Sequence, residues 1–111
     1  TTAPFIEKTF LFVCDITTNS IISWINKGTS FKIINTEAFQ KQLLPQYFKH
    51  SNLSSFLRQL NTYGFKKTNQ GSLEFSHPSF LEGYEQLLSY IRPKQRNKKE
   101  NKKENKKENK K

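Results

Sequence analysis

Hydrophobic and polar residues along this chain follow two different periods, which predict an alternation of helices and strands. Apolar residues three or four positions apart predict helices, and short runs rich in β-branched and aromatic residues predict strands. In chain order the predicted elements are a helix over 4–15, strands over 21–25 and 30–34 joined by a turn at 26–29, a helix over 36–44, a helix over 52–63, strands over 65–68 and 72–76, and a helical stretch over 79–92. Asn35 or Thr36 is expected to cap the second helix, and Pro45 to end it. This order predicts an α+β fold, a winged helix-turn-helix with a three-helix bundle against a small four-stranded antiparallel sheet.

The helix predicted over residues 52–63 has two faces of different chemistry. Its apolar face covers a little over a third of the circumference and carries Leu53, Phe56, Leu57, Leu60 and Tyr63. Its polar face carries Ser54, Ser55, Arg58, Asn61 and Thr62. Short side chains let a helix approach a partner closely, and a single Arg fork can then take two acceptors, such as O6 and N7 of guanine. The polar face therefore predicts entry into a DNA major groove, although an ordinary amphipathic surface helix is the commoner origin of such a pattern.

Cations and helix-end signals lie on both sides of this helix and favour the DNA interpretation. In chain order they are Lys49, His50, a cap at Ser51 or Asn52, Gly64, Lys66 and Lys67. A helix N-terminus favours anions, and a glycine just after the last turn is a common helix end. The basic groups are thus placed where a phosphate backbone would run.

Composition and charge point to one basic domain with a basic tail. Ten Phe, four Tyr and one Trp among 111 residues can supply a small core, and the net charge is +10. The domain is predicted over residues 4–92, and a Lys/Asn/Glu low-complexity tail over 93–111. Residues 97–111 contain no apolar side chain and are predicted to be disordered. The charge indicates a polyanionic partner, nucleic acid before membrane, since no apolar run approaches the ~18 residues of a membrane span.

Few residues suggest other chemistry. Cys14 is the only cysteine, which excludes a disulfide framework and a thiolate metal cluster, and its apolar neighbours predict a buried, inert thiol in a reducing compartment. Trp24 is predicted to be a core residue, with a base-stacking platform as the minority alternative. No paired acids, Cys–His pair or Gly-rich phosphate loop is present, so we expect no enzyme activity, no cofactor and no metal site.

Residues 44–67 carry a resemblance to a known family. Their sequence, LPQYFKHSNLSSFLRQLNTYGFKK, closely resembles the DNA-binding domain signature of heat shock transcription factors. Residues 22–24 with 30–31 resemble the first hairpin of that family, and residues 75–88 resemble its C-terminal part. The resemblance covers roughly residues 4–92. It implies a nuclear, sequence-specific transcription regulator that binds double-stranded DNA at GAA-type repeats.

The resemblance also implies roles for individual residues. Arg58 matches the position that contacts guanine, and Ser55 and Asn61 match groups lining the same groove-facing surface. Three further matches, expected to approach phosphates, are Lys49, Tyr63 and Lys67. Ser54 from the polar face and Lys66 from the basic flank complete the predicted DNA-binding set. The two histidines at family positions, His50 and His77, are predicted to be structural rather than ligands.

Two departures from the family pattern affect assembly. The loop between the last two strands, a long wing in the family, has only about four residues around Gly71. The family resemblance implies that the wing contacts a neighbouring protein subunit rather than DNA, so the short loop is expected to affect cooperativity between adjacent domains more than base recognition. The hydrophobic heptads that form a trimer in the family are absent, so the chain is a fragment or has low-complexity sequence in their place, and it is expected to be monomeric. A protein-interaction module and a non-specific nucleic-acid binder remain the alternative functions.

Overall fold

The computed structural model of the chain describes residues 1–94, and its elements follow the predicted order. They are α1 (Pro4–Cys14), β1 (Ile22–Ile25), β2 (Ser30–Ile33), α2 (residues 36–47), α3 (Leu53–Thr62), β3 (Lys66–Lys67) and β4 (Glu74–Ser76), followed by 3₁₀ turns over Glu85–Tyr90. Three helices and a four-stranded antiparallel sheet confirm the predicted α+β, winged helix-turn-helix class. Beyond residue 94 the predicted disordered tail lies outside the described residues.

The sheet has the strand order β1-β2-β4-β3, with all pairs antiparallel. The turn between β1 and β2 uses three consecutive residues with positive φ, Asn26, Lys27 and Gly28. At Gly28 a Cβ atom would lie 2.7 Å from Cβ of Glu82, so this turn packs too closely for any side chain there. Six residues, 68–73, connect β3 to β4, which confirms a short wing although it is longer than the predicted four.

Aromatic rings form the core between the helices and the sheet. Phe12 of α1 lies within 6.3 Å, centroid to centroid, of Phe39, Tyr47, Phe48 and Phe56. These contacts join α1, α2 and α3 in one cluster. The ten phenylalanines thus supply a core that can hold α3 against the other two helices.

Trp24 belongs to this core, as predicted. Its ring meets Phe10 edge-on at 5.7 Å and Phe80 at 5.4 Å, so it is not an exposed platform for a base. The prediction for Cys14 is wrong in one respect, because the residue is exposed at the end of α1 while Phe12 and Val13 take the core positions. Neighbouring side chains still withdraw the thiol partly from water, which raises the pKa of Cys14 and disfavours the reactive thiolate.

The prediction that Pro45 ends the second helix is wrong. Asn35 caps the helix, its Oδ1 accepting from the N–H of Ala38 at 3.0 Å, and the helix continues through Pro45 to Tyr47. A wide turn over Phe39–Leu43 precedes the proline, with the N–H of Leu44 donating to the carbonyl oxygen of Phe39 five residues back. A wider turn accommodates a proline ring that a regular helix would exclude.

The C-terminal stretch over 79–92 is not the predicted helix either. It is a series of turns, in which Gly83 has a φ of +85° and a short 3₁₀ segment follows. Its apolar residues nevertheless reach the core, since Phe80, Leu88 and Ile91 are buried. The apolar spacing was therefore a sign of burial rather than of a regular helix.

Candidate nucleic-acid interface

Helix α3 has well-defined ends. Asn52 is the N-cap, its Oδ1 accepting from the N–H of Ser55 at 3.0 Å. At the other end Gly64 has a φ of +86°, its N–H donates to the carbonyl oxygen of Asn61, and the N–H of Phe65 donates to that of Leu60. This pair of bonds is the Schellman arrangement. The helix is confirmed, and each end lies one residue inside the predicted range of 52–63, with Asn52 rather than Ser51 as the cap.

The two faces of α3 differ in exposure as the sequence predicts. Phe56 and Leu60 are each 1% exposed, and Leu53, Leu57 and Tyr63 pack against the core at its edge. Four residues of the predicted DNA-binding set are exposed on the opposite side: Ser54, Ser55, Arg58 and Asn61. With a rotation of about 100° per residue, Arg58 lies about 200° from Leu60, nearly diametrically opposite the core.

Arg58 has no acidic partner among residues 1–94. Both ion pairs in this part of the chain lie on other elements, Lys32–Glu74 across the sheet and Lys41–Glu37 on α2. The exposed side chains beside Arg58 on the helix surface are short, apart from that of Gln59, which is of intermediate length. The guanidinium group therefore projects above short side chains and has no acidic partner within the described residues, which suits insertion into a groove.

Basic side chains lie near the N-terminal end of α3. Lys49 is exposed in the connection from α2. Nδ1 of His50 accepts from the N–H of Asn52 at 3.0 Å, which gives this histidine the predicted structural role. Lys8 of α1, which the sequence did not single out, lies 5.6 Å from the ring centre of Phe48, a ring that stacks on His50.

An open recess of about 660 Å³ adjoins this end of the helix. It is lined by Gln40, His50, Ser51, Asn52, Leu53 and Ser54. The first N–H groups of a helix have no partner inside it, and the helix dipole adds partial positive charge there. The recess can therefore accept an anionic group, and a phosphate has the required charge.

The residues that follow α3 differ in exposure, since two lysines are exposed and a tyrosine is half-buried. Lys66 and Lys67 are exposed on β3, but successive side chains of a strand point to opposite faces, so the two lysines offer charge in two directions. Tyr63 is half-buried, and its ring stacks on Phe5 at 5.6 Å, so it belongs to the core edge. The predicted phosphate contacts of these three residues stay predictions.

His77 has the predicted structural role beside the C-terminal end of α3. Its Nδ1 accepts from the N–H of Ser79 at 3.0 Å, and its ring lies 5.2 Å from that of Phe65. Burial lowers the pKa of His77, which favours the neutral ring. Within residues 1–94 no group of three or more His, Cys, Asp or Glu side chains could hold a metal ion, and no helix could span a bilayer.

Lys94, beside the predicted surface, was also missed by the sequence prediction. Nζ of Lys94 donates to Oδ1 of Asn61 at 3.1 Å, across 33 positions of sequence. No local spacing connects the two residues, so the sequence alone carried no signal for this contact.

Residues 5–94 match the HSF-type DNA-binding family. The chain belongs to this family. Among curated relatives, heat stress transcription factor B-1 of Arabidopsis thaliana is 50% identical over 93 residues, which are 84% of this chain and 33% of that protein. Heat stress transcription factor C-1b of Oryza sativa subsp. japonica is 49% identical over 94 residues, 85% of this chain and 38% of that protein. The chain thus spans about a third of the length of these relatives.

Solved structures of the HSF-type family share the fold. Skn7 of Chaetomium thermophilum with HSE DNA superposes with a TM-score of 0.76 at 38% identity, covering 81% of this chain and 99% of that one. The same protein with SSRE DNA gives a TM-score of 0.78 at 38% identity, covering 83% of this chain and all of the other. A heat shock transcription factor–DNA complex gives 0.58 at 38% identity over 66% of this chain and 89% of that one.

Proposed function

We propose that this HSF-type domain binds double-stranded DNA at GAA-type heat shock elements, with α3 in the major groove, as part of a transcription regulator in the nucleus. The observation that carries the proposal is the face of α3 opposite the core, where Arg58 projects among the short side chains of Ser54, Ser55 and Asn61. The similar Skn7 domain has been solved with HSE DNA, which supports the same partner for this chain.

Arg58 carries base recognition in this proposal. A guanidinium fork can donate two parallel hydrogen bonds, and guanine offers O6 and N7 as a matched pair of acceptors in the major groove. Ser54, Ser55 and Asn61 add short donors and acceptors without holding the helix away from the bases. Major-groove entry therefore accounts for the small size of these neighbours as well as for the isolation of the arginine.

Phosphate contacts supply the affinity that does not depend on sequence. The N-terminal end of α3 offers backbone N–H groups, with Lys49 just before it, while Lys66 and Lys67 follow the other end. A helix lying in the groove has phosphates near both of its ends, so cations at the two ends fix its position. Each phosphate neutralised makes log K fall by about 0.9 per decade of salt concentration.

A competition experiment at one salt concentration tests the proposal. The 111-residue chain is titrated into a labelled duplex of GAA repeats, and the competitors are the same duplex unlabelled and a scrambled duplex of equal composition. We expect the scrambled competitor to be weaker by a factor of at least about 10³, the lower end of the specificity ratios of DNA-binding domains. Equal competition by the two duplexes would indicate that the chain is a non-specific nucleic-acid binder. No binding to either duplex would favour the alternative function, a protein-interaction module.

A further inference from the structure

The last described residues return to helix α3. Beyond the buried Ile91, the backbone N–H of Lys94 donates to the carbonyl oxygen of Thr62 at 2.7 Å. This carbonyl belongs to the last turn of the helix, where carbonyl groups have no partner inside the helix. The ammonium group of Lys94 donates to Oδ1 of Asn61 at 3.1 Å. Two hydrogen bonds therefore hold Lys94 against the end of α3, one from its backbone and one from its side chain.

The chemistry of the ammonium group decides how the side chain of Asn61 is oriented. An ammonium group can only donate hydrogen bonds, so the oxygen of the carboxamide, not its nitrogen, must face Lys94. The NH₂ group, with two donor hydrogens, is then left for another partner. An exposed asparagine without such a neighbour can present either end of its amide, whereas Asn61 beside Lys94 is held in one orientation.

The geometry points to Lys94 as a positioning residue for base recognition, acting through Asn61. This inference rests on the proposed function. Lys94 directs the NH₂ group of Asn61 toward the acceptors of the major groove, which are N7 of purines, O6 of guanine and O4 of thymine. A side chain that is oriented before binding loses less conformational entropy when the complex forms, so the hydrogen bond favours the correct sequence.

The competing role for the same residue is a plain phosphate contact. A lysine at a helix C-terminus is favoured by the helix dipole and could bind the DNA backbone directly. The two roles predict different losses. A phosphate contact lowers affinity for every sequence and flattens the salt dependence, while a positioning residue lowers the preference between sequences.

Substitution of Lys94 in the full chain separates these roles. Lys94→Met keeps the aliphatic stem and the backbone bond to Thr62 but removes the donor to Asn61. Lys94→Arg restores a donor, and Lys67→Met serves as a matched loss of an exposed lysine. Each variant is measured on GAA and scrambled duplexes over a range of salt, with thermal unfolding as the check on folding. Lys94→Met and Asn61→Ala are also combined.

Lys94→Met is expected to lower the GAA-over-scrambled preference about threefold to tenfold, the worth of one modest hydrogen bond. Lys94→Arg should retain most of the preference, Lys67→Met should weaken both duplexes alike, and the thermal midpoint of Lys94→Met should stay close to that of the wild type. In the Asn61→Ala background, Lys94→Met should cause no further loss of preference.

Two results would overturn the inference while leaving the proposed function intact. One is an unchanged preference in Lys94→Met, and an equal loss on both duplexes with a flatter salt dependence would then identify Lys94 as a phosphate contact. The other is a loss of preference that persists in full in the Asn61→Ala background. A wild-type chain without any preference would instead reject the proposed function itself.

Discussion

The ten residues of helix α3 divide between two faces, one in the core and one exposed to solvent. On one face the side chains of Phe56 and Leu60 are each 1% exposed, and the ring of Phe56 lies against Phe12 of α1 and Phe39 of α2. On the other, Ser54, Ser55 and Arg58 are exposed, and none of them is large and apolar. The residues that stabilise the fold and the residues proposed to contact DNA therefore lie on opposite sides of one helix. Substitutions on one face should change one property and leave the other nearly unchanged.

The strongest test of this separation lies on the buried face. Phe56→Ala is expected to lower the free energy of unfolding by about 3–5 kcal/mol and Leu60→Ala by about 2–5 kcal/mol, because each leaves a cavity that the core cannot fill. Chemical denaturation followed by circular dichroism measures both. Ser54→Ala is the control on the exposed face, with an expected change within about 0.5 kcal/mol. A Phe56→Ala variant as stable as the wild type would place that face in solvent and reverse the orientation of the helix.

Substitution of Gly64, which follows the last turn of α3, is expected to have a smaller effect on stability. Its φ of +86° is costly for any residue with a side chain, and Gly64→Ala is expected to destabilise the domain by about 1–2 kcal/mol. Steric clash should add little, since the new Cβ would meet no atom closer than 3.8 Å. Gly71→Ala is the matched control, because this exposed wing residue does not have positive φ. Equal effects of the two substitutions in thermal melts would remove the conformational explanation.

The N-cap gives the smallest of these effects. Asn52→Ala removes the acceptor for the N–H of Ser55 and is expected to cost about 1 kcal/mol of unfolding free energy. Ser51→Ala is the control, since Ser51 was the other predicted cap and does not cap the helix. If urea denaturation shows the larger loss for Ser51→Ala, the helix begins one residue earlier than described.

The sequence predicted those elements for which several local signals agree, and it did not predict those that depend on irregular backbone geometry. Helix α3 was predictable because its apolar spacing, its asparagine cap and its terminal glycine all indicate the same element. The passage of α2 through Pro45 was not, since a wide turn that accommodates a proline leaves no signal in composition or period. Gly83 breaks the C-terminal stretch although the apolar spacing around it is helical.

The candidate site was predictable where it is local to one helix. The exposed positions of Ser54, Ser55, Arg58 and Asn61 follow from helical geometry alone. Lys94 could not be found in this way, because its contact with Asn61 depends on how the turns after β4 bring the chain back to α3. Long-range contacts of this kind are set by tertiary packing, which a one-dimensional pattern does not contain.

Base recognition by the exposed face of α3 is tested by the DNA affinity of Arg58→Ala, measured together with the stability of the variant. Gln59→Ala, one position along the same helix and also exposed, is the control. Because Arg58 lies opposite the core, we expect an unfolding free energy close to that of the wild type and a loss of about 1–3 kcal/mol on a GAA duplex, with little loss on scrambled DNA. Equal losses on the two duplexes would make Arg58 a phosphate contact and would contradict direct base recognition by this face.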